Sequence, residues 1–154
     1  MEKATFGAGC FWGVQLTFDQ MPGVIKSSVG YSGGSRPHPT YAQVCSDATG
    51  HAEVVDLEFD PAVVSYDTLV RRFFDLHDPT QLNRQGPDVG SQYRSVIFYH
   101  SDAQRETAEK IKAEVAGKYN KPVVTLVEPA AAFWPAEEYH QKYLTRRGGG
   151  ACHI

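Results

Sequence analysis

The first stretch able to do chemistry is Gly-Cys-Phe-Trp-Gly, from Gly9 to Gly13, which places a thiol between two glycines. A glycine at position 9 allows a sharp turn from a strand into a helix, so Cys10 is expected at a helix N-terminus, where the thiolate is favoured. The two glycines leave room for a substrate, and Phe11 and Trp12 offer an apolar wall. On this spacing alone, Cys10 and Phe11 could equally be core residues beside a turn.

A carboxylate lies on the apolar side of a predicted strand at residues 52–59. Strand alternation places Val55, Leu57 and Phe59 on one face, and Glu53 shares their parity. We therefore expect Glu53 to be buried, with a pKa raised by desolvation, so that it carries a proton to donate. The alternative is a surface glutamate that precedes the strand.

Two tyrosines and a second carboxylate could complete such a site. Tyr41 and Tyr93 are placed at strand starts, where a tyrosine is usually a packing residue, and Asp88 precedes a glycine as turn residues do. Together, two phenols and a carboxylic acid would stabilise a developing negative oxygen. The spacing does not show that the three meet.

Three cysteines, Cys10, Cys45 and Cys152, are too few for a disulfide framework, and their spacing does not suit a metal site. We interpret Cys45 as structural. Cys152 lies in a glycine-rich segment, residues 145–154, which is predicted to be a mobile tail.

The length and composition of the chain predict one domain spanning residues 1–154. A net charge of −3 gives no reason to expect nucleic acid, and no apolar run is long enough to cross a membrane, so we expect a cytoplasmic protein. Strands and helices alternate, which predicts a mixed α/β sheet with packed helices. The predicted helices are 11–21, 66–77 behind Ser65, and 108–119 behind Ser101 with Gln104 in a capping box; strands are predicted before Gly9 and at 25–31, 52–59, 93–99 and 123–127.

Taken together, these segments resemble the type A peptide methionine sulfoxide reductases. The matching stretches are GCFWG (9–13), VGYSGG (29–34), PTYAQVC (39–45), TGHAEVV (49–55), FDP (59–61), HDPT (77–80), RQGPDVGSQYRS (84–95) and FWPAEEYHQKYL (133–144). Asp47 stands where a glycine is usual, and the tail offers one cysteine where some relatives have two.

The resemblance implies an α/β (α+β) fold: a single-domain, two-layer mixed sheet with a ferredoxin-like core. It implies that Cys10 is the nucleophile, that Glu53 is the acid, and that Tyr41, Tyr93 and Asp88 form the polar side of the site. Phe11 and Trp12, flanked by Gly9 and Gly13, would receive the methyl group of the S epimer.

The resemblance also implies how the thiol is recycled. A Cys10 sulfenic acid would condense with Cys152, and thioredoxin would reduce the resulting disulfide. Oxidised proteins are the expected substrates, free methionine sulfoxide is a further expected one, and a monomer is expected. No bound cofactor and no metal are expected.

The same residues are compatible with two other classes of protein. An aromatic cage with a carboxylate could bind a methylated ammonium group, but it would not need the glycines or Cys152. Another cysteine enzyme is the second alternative, either a peroxidase or an acyl transferase. An acyl transferase needs a histidine base, and His51, His77 and His140 have no diagnostic context.

Overall fold

A computed structural model describes residues 1–35, 37–45, 49–137 and 140–141. The described elements, in chain order, are β1 (Glu2–Ala8), α1 (Phe11–Asp19), β2 (Val24–Ser32), α2 (Tyr41–Cys45), β3 (Ala52–Phe59), α3 (Tyr66–Asp75), β4 (Arg84–Gln85), β5 (Asp88–Val89), β6 (Ser95–Tyr99), α4 (Asp102–Ala116), β7 (Leu126–Pro129) and β8 (Trp134–Pro135).

The main sheet has the order β7-β6-β1-β3-β2-β8, and β4 pairs with β5 in a separate hairpin. Strand β3 is antiparallel to both β1 and β2, and β1 is antiparallel to β6. Helices α1 and α3 connect these four central strands, which gives the β-α-β-β-α-β arrangement of a ferredoxin-like core. The predicted fold class is confirmed.

The caps of α3 and α4 follow from their sequence. The side chain of Ser65 accepts a hydrogen bond from the amide of Thr68, and Ser101 accepts one from the amide of Gln104, so each serine satisfies a first-turn N–H group. The capping box is incomplete, however. The side chain of Gln104 accepts from the amide of His100 rather than from that of Ser101.

The larger hydrophobic cluster fills the space between the sheet and the helices. Val55, Leu57 and Phe59 are all fully buried in it, as alternation predicts. The other face of β3 is also buried near its start, because Ala52 and Val54 pack in a second, smaller cluster that Phe133 covers.

Several predicted boundaries are wrong. Helix α1 ends at Asp19 and not at residue 21, and Tyr119 lies beyond the end of α4. The strand predicted at 123–127 is at Leu126–Pro129. The amide of Val124 instead donates to the carbonyl of Pro79, at 2.8 Å, so the chain reaches the sheet only after this contact.

Two tyrosine positions also differ from their predicted strand starts. Tyr41 begins helix α2, and Tyr93 ends a 3₁₀ turn, Ser91–Tyr93, just before β6. Among the residues that the structure describes, no helix is long and apolar enough to span a membrane.

Candidate active site around Cys10

Cys10 caps the N-terminus of α1, as the sequence predicts. Gly9 has φ of +96°, a conformation that L side chains rarely adopt, and it turns the chain from β1 into the helix. Cys10 is half-buried, so its thiol lies between the core and solvent. The partial positive charge at this helix end favours a negatively charged sulfur.

Glu53 lies at the same helix end. In the sheet it is opposite Tyr31 of β2, and it is 1% exposed. Its Oε1 accepts a hydrogen bond of 3.3 Å from the amide of Phe11, the residue that follows Cys10. The predicted burial of Glu53 is confirmed, and its carboxyl group lies one peptide unit from Cys10. Its raised pKa stays a prediction.

Tyr41 and Tyr93 lie on the polar side of the site around Cys10 and Glu53. Burial is the main cause that raises the pKa of Tyr41, followed by a hydrogen bond with Cys45 and the charge of Glu53. Burial is also the main cause that raises the pKa of Tyr93. Both hydroxyl groups therefore keep their protons at neutral pH and can donate hydrogen bonds.

The charged groups that act on Tyr93 show which of the predicted site residues lie near one another. After burial, its pKa is raised further by the negative charges of Glu53, Cys45, Asp88 and Cys10. Asp88 begins strand β5, and Gly90, which follows this strand, has φ of +142°. The structure thus brings the two acids, the two phenols and Cys10 into one site.

The aromatic residues after Cys10 differ in accessibility. Phe11 is 1% exposed, and its ring packs against those of Tyr31, Tyr41 and His140 at centroid distances of 5.8, 6.3 and 5.3 Å. Trp12 is half-buried, so more of it can meet a ligand. Gly9 and Gly13 are buried. Contact of these four residues with a substrate stays a prediction.

The family model described as "Peptide methionine sulfoxide reductase" matches residues 2–154 of the chain. This chain belongs to the peptide methionine sulfoxide reductase family. The protein is therefore an oxidoreductase that reduces methionine sulfoxide in a thiol-dependent reaction. This assignment decides against the binding module, the peroxidase and the acyl transferase.

Individual relatives agree with the family model. The reductase is 60% identical, over 154 residues, to "Peptide methionine sulfoxide reductase MsrA" of Geobacter sulfurreducens, an alignment that covers 99% of this chain and 95% of the relative. The crystal structure of Mxr1 from Saccharomyces cerevisiae in reduced form is similar with a TM-score of 0.92 at 38% identity, covering 99% and 91% of the two chains. A structure of Mxr1 in complex with Trx2 has a TM-score of 0.65 at 25% identity, covering 99% and 88%.

Sequence reasoning missed the position of Cys45 in the reductase. Although Cys45 is exposed, partial burial raises the pKa of its thiol, while hydrogen bonds with Tyr41 and Tyr93 act in the opposite direction. Cys45 therefore adjoins both phenols, and its interpretation as a structural residue stays a prediction. The signal was available, because Tyr41 and Cys45 are four residues apart and share one face of a helix.

His140 is the second residue whose position was missed. It is 1% exposed, and its Nδ1 accepts a 3.0 Å hydrogen bond from Nε1 of Trp12. Burial lowers the pKa of His140, partly opposed by the charge of Glu137. A neutral ring that accepts at Nδ1 carries its proton on Nε2, so this hydrogen bond fixes both the tautomer and the orientation of Trp12.

Glu137, near His140 in the chain, forms hydrogen bonds with residues of strand β2 and helix α2. Its Oε1 accepts from the hydroxyl of Tyr31 and its Oε2 from the amide of Tyr41, both at 3.2 Å. Burial would raise the pKa of Glu137, but hydrogen bonds from its own backbone, Tyr41 and Tyr31 outweigh this effect and lower it. An ionised Glu137 thus holds the first residue of α2 against β2.

The remaining candidate histidines have structural partners. His51 Nδ1 accepts from the amide of Gly34, and His77 bonds to the carbonyl of Phe73 and the hydroxyl of Ser95. Among the residues described, no group of three or more His, Cys, Asp or Glu side chains is arranged to hold a metal. Cys152 and the predicted tail at 145–154 lie outside the described residues.

Proposed function

We propose that Cys10 attacks the sulfur of a methionine sulfoxide while Glu53 passes a proton to its oxygen. Oxide is a poor leaving group until it is protonated, and a thiolate is the stronger nucleophile, so the reaction needs both groups together. The S–O bond of the sulfoxide and the new bond between the two sulfurs then break as the protonated oxygen passes to the Cys10 sulfur, which leaves methionine, a Cys10 sulfenic acid and an ionised Glu53. The observation that carries this proposal is the 3.3 Å hydrogen bond from the amide of Phe11 to Glu53.

The other site residues would orient the sulfoxide. Tyr41 and Tyr93 donate hydrogen bonds to the oxygen as negative charge develops on it, with Asp88 fixing the polar side. Trp12 receives the methyl group, backed by Phe11, and Gly9 and Gly13 keep the approach narrow but unobstructed. A pocket with its polar and apolar sides fixed relative to the attacking sulfur discriminates between epimers at sulfur, and we assign this reductase the S epimer.

Recycling is assigned to Cys152. Condensation of its thiol with the Cys10 sulfenic acid releases water and forms a disulfide. Cys152 follows Gln141, the last described residue, by 11 positions, and an extended chain of that length spans at most about 40 Å, enough to return to the site. The solved complex of Mxr1 with Trx2 supports thioredoxin as the reductant of the disulfide.

These roles also indicate the substrates, the oligomeric state and the location of the reductase. Oxidised proteins are the substrates, free methionine sulfoxide is a second one, and the enzyme acts as a monomer of a single domain spanning residues 1–154. Because a thiol cycle needs a reducing compartment, we place the protein in the cytoplasm.

The test of the nucleophile uses peptides that carry either the R or the S sulfoxide, with dithiothreitol as reductant. Wild type is expected to form methionine from the S peptide only, and Cys10→Ser to form none. Cys45→Ser is the matched control, since it also removes a thiol beside the two tyrosines, and it is expected to retain turnover. Equal activity of Cys10→Ser and wild type would refute the assignment.

The recycling role is tested by changing the reductant. Cys152→Ser is expected to turn over with dithiothreitol but to stop after one methionine per enzyme when thioredoxin is the reductant. Repeated turnover of this variant with thioredoxin would show that Cys152 is not the recycling cysteine.

A further inference from the structure

Helix α2, which begins with Tyr41, is only five residues long and buries a single side chain, Val44. Its first turn is closed by local contacts. The amide of Gln43 donates to Oγ1 of Thr40 at 3.2 Å, and the amide of Thr40 donates to the side chain of Gln43 at 2.9 Å, which is a complete capping box. These contacts form the helix, but they lie within four residues and do not fix where the helix lies relative to the sheet.

Glu137 supplies a contact to α2 from a distant part of the chain. Its Oε2 accepts a hydrogen bond from the amide of Tyr41, and its Oε1 accepts one from the hydroxyl of Tyr31, each at 3.2 Å. The first amides of a helix have no partner within the helix, so this carboxylate satisfies one that the capping box does not reach. Glu137 therefore connects the start of α2 directly to strand β2.

The β2 end of this connection is fixed beside the proposed acid. Tyr31 is fully buried and lies directly opposite Glu53 in the pairing of β2 with β3. Its ring packs against that of Phe11, with the centroids 5.8 Å apart. The hydroxyl that binds Glu137 thus belongs to a side chain that the core holds in place, and Glu137 relates the position of Tyr41 to it.

The side chain of Tyr41 reaches the site from this helix. Its ring contacts those of His140 and Phe11 at centroid distances of 4.4 and 6.3 Å. After burial and a hydrogen bond with Cys45, the negative charge of Glu53 is a further cause that raises the pKa of Tyr41, so the hydroxyl lies near that carboxyl group. Ring packing allows a phenol to slide in its own plane, whereas a bonded amide fixes the backbone from which the ring extends.

We infer that Glu137 is a positioning residue for sulfoxide reduction: it ties α2 to β2 and so holds the Tyr41 hydroxyl where it donates to the sulfoxide oxygen. Glu137 acts through Tyr41 and does not itself contact the substrate. A displacement of roughly 1 Å in a group that acts on the reacting atoms can cost about 100-fold in rate, so a short helix needs such a tie. The inference rests on the proposed function, in which Tyr41 stabilises the charge that develops on the oxygen.

The test is a double-mutant cycle in single-turnover rates, measured with a saturating peptide that carries the S sulfoxide. Glu137→Ala should be about 10- to 100-fold slower than wild type, because the phenol of Tyr41 is present but displaced. Glu137→Ala/Tyr41→Phe should be at most about twofold slower than Tyr41→Phe, since a hydroxyl that is absent cannot be misplaced. In Glu137→Ala/Tyr93→Phe the two losses should multiply. A merely structural role would give the same further loss in both backgrounds.

Three further variants sharpen the cycle. Glu137→Gln keeps an oxygen for the amide of Tyr41, and the hydroxyl of Tyr31 can accept from its amide group, so its rate should stay within about threefold of wild type. Glu114→Ala is the matched control, because it removes a carboxylate that lies 3.0 Å from the guanidinium of Arg71 on the helical side of the molecule, and it should react as wild type does. If Glu137→Ala does not fold, Tyr31→Phe replaces it in the cycle, with an expected loss of about threefold that disappears in the Tyr41→Phe background.

Two results would overturn the inference. One is a wild-type rate in Glu137→Ala, or in Tyr31→Phe where that variant replaces it. The other is an equal further loss in the Tyr41→Phe and Tyr93→Phe backgrounds. Failure of the proposed function is distinguishable, because Tyr41→Phe alone would then already react at the wild-type rate.

Discussion

Two carboxylates on strand β3, Glu53 and Asp56, have very different surroundings. Glu53 is 1% exposed, accepts from the amide of Phe11, and shares its site with a thiol and two phenols. Asp56 lies on the other face, where its Oδ1 accepts from the hydroxyl of Thr5 at 2.8 Å and its Oδ2 is 3.8 Å from Nζ of Lys3.

Under the proposed mechanism, this difference assigns Glu53 to catalysis and Asp56 to stability. Asp56 has a cation and a hydroxyl donor beside it, and these contacts hold its carboxylate in position. Glu53 is buried at a helix end next to Cys10, and in the proposed reaction it holds a proton and then donates it. If that proposal holds, two carboxylates on one strand serve different purposes because they lie on different sides of the sheet.

Exchanging each carboxylate for its amide gives the largest contrast. Glu53→Gln should lower the rate of methionine formation about 100- to 10,000-fold, the usual range for loss of an acid catalyst, with its fold intact. Asp56→Asn should keep the rate within about threefold of wild type but lose about 1–2 kcal/mol of unfolding free energy. Single-turnover kinetics measure the effect on rate, and urea unfolding measures the effect on stability. A Glu53→Gln variant with wild-type activity would show that the two carboxylates do not differ in catalysis.

Removing one phenol should have the next largest effect. Tyr41→Phe and Tyr93→Phe are each expected to slow the reaction about 10- to 100-fold, because one hydrogen bond to the developing oxygen charge is lost. Tyr99→Phe, at the far end of β6, is the control and should change little. Full activity of both variants would contradict the role of the phenols.

The raised pKa values of Tyr41 and Tyr93 predict how the absorbance of wild type and of each tyrosine variant changes with pH. Since burial raises both, each hydroxyl stays protonated as the pH passes the usual tyrosine value of 10. Wild type and the two variants should therefore have the same absorbance change at 295 nm up to that pH. A smaller change in either variant would mean that the missing tyrosine ionises normally.

The smallest expected effect concerns the Asp56 side of the sheet. Nε2 of His100 is 2.9 Å from the hydroxyl of Thr5, and burial is the main cause that lowers the pKa of His100 below its usual 6.5. The folded state then binds fewer protons than the unfolded state, so this contribution is complete above pH 6.5 and is lost as the pH falls through the lowered value. Urea unfolding at pH 7 and pH 5 should show a smaller loss in His100→Gln than in wild type, with unchanged sulfoxide reduction at pH 7. An equal loss in both proteins would exclude His100 as a source of the pH dependence.

Local sequence was sufficient for several features of the reductase. Gly9 fixes a turn through its own backbone conformation, which is enough to predict Cys10 at the start of a helix. Ser65 and Ser101 cap their helices through contacts only three residues away. The alternation in β3 predicted which side of the strand holds Glu53, because the two-residue period belongs to the strand itself.

Contacts between distant segments were not predictable in this way. The pairing of β1 with β3 brings Glu53 to Cys10 from 43 positions away, and residue types alone do not set that register. The hydrogen bond from Trp12 to His140 spans 128 positions, so neither residue signals its partner locally. Tyr41 begins a helix rather than a strand, where its amide donates to Glu137, 96 positions further along.

The sequence by itself determined the kinds of groups available and their local placement: a thiol at a helix end, a carboxylate on the core side of a strand, and two capped helices. These depend on backbone geometry and hydrogen bonds within a few residues. Only the tertiary structure decided that these groups meet and that Glu137 and His140 join them. Such contacts depend on strand register and on packing between segments far apart in the chain, which no local pattern records.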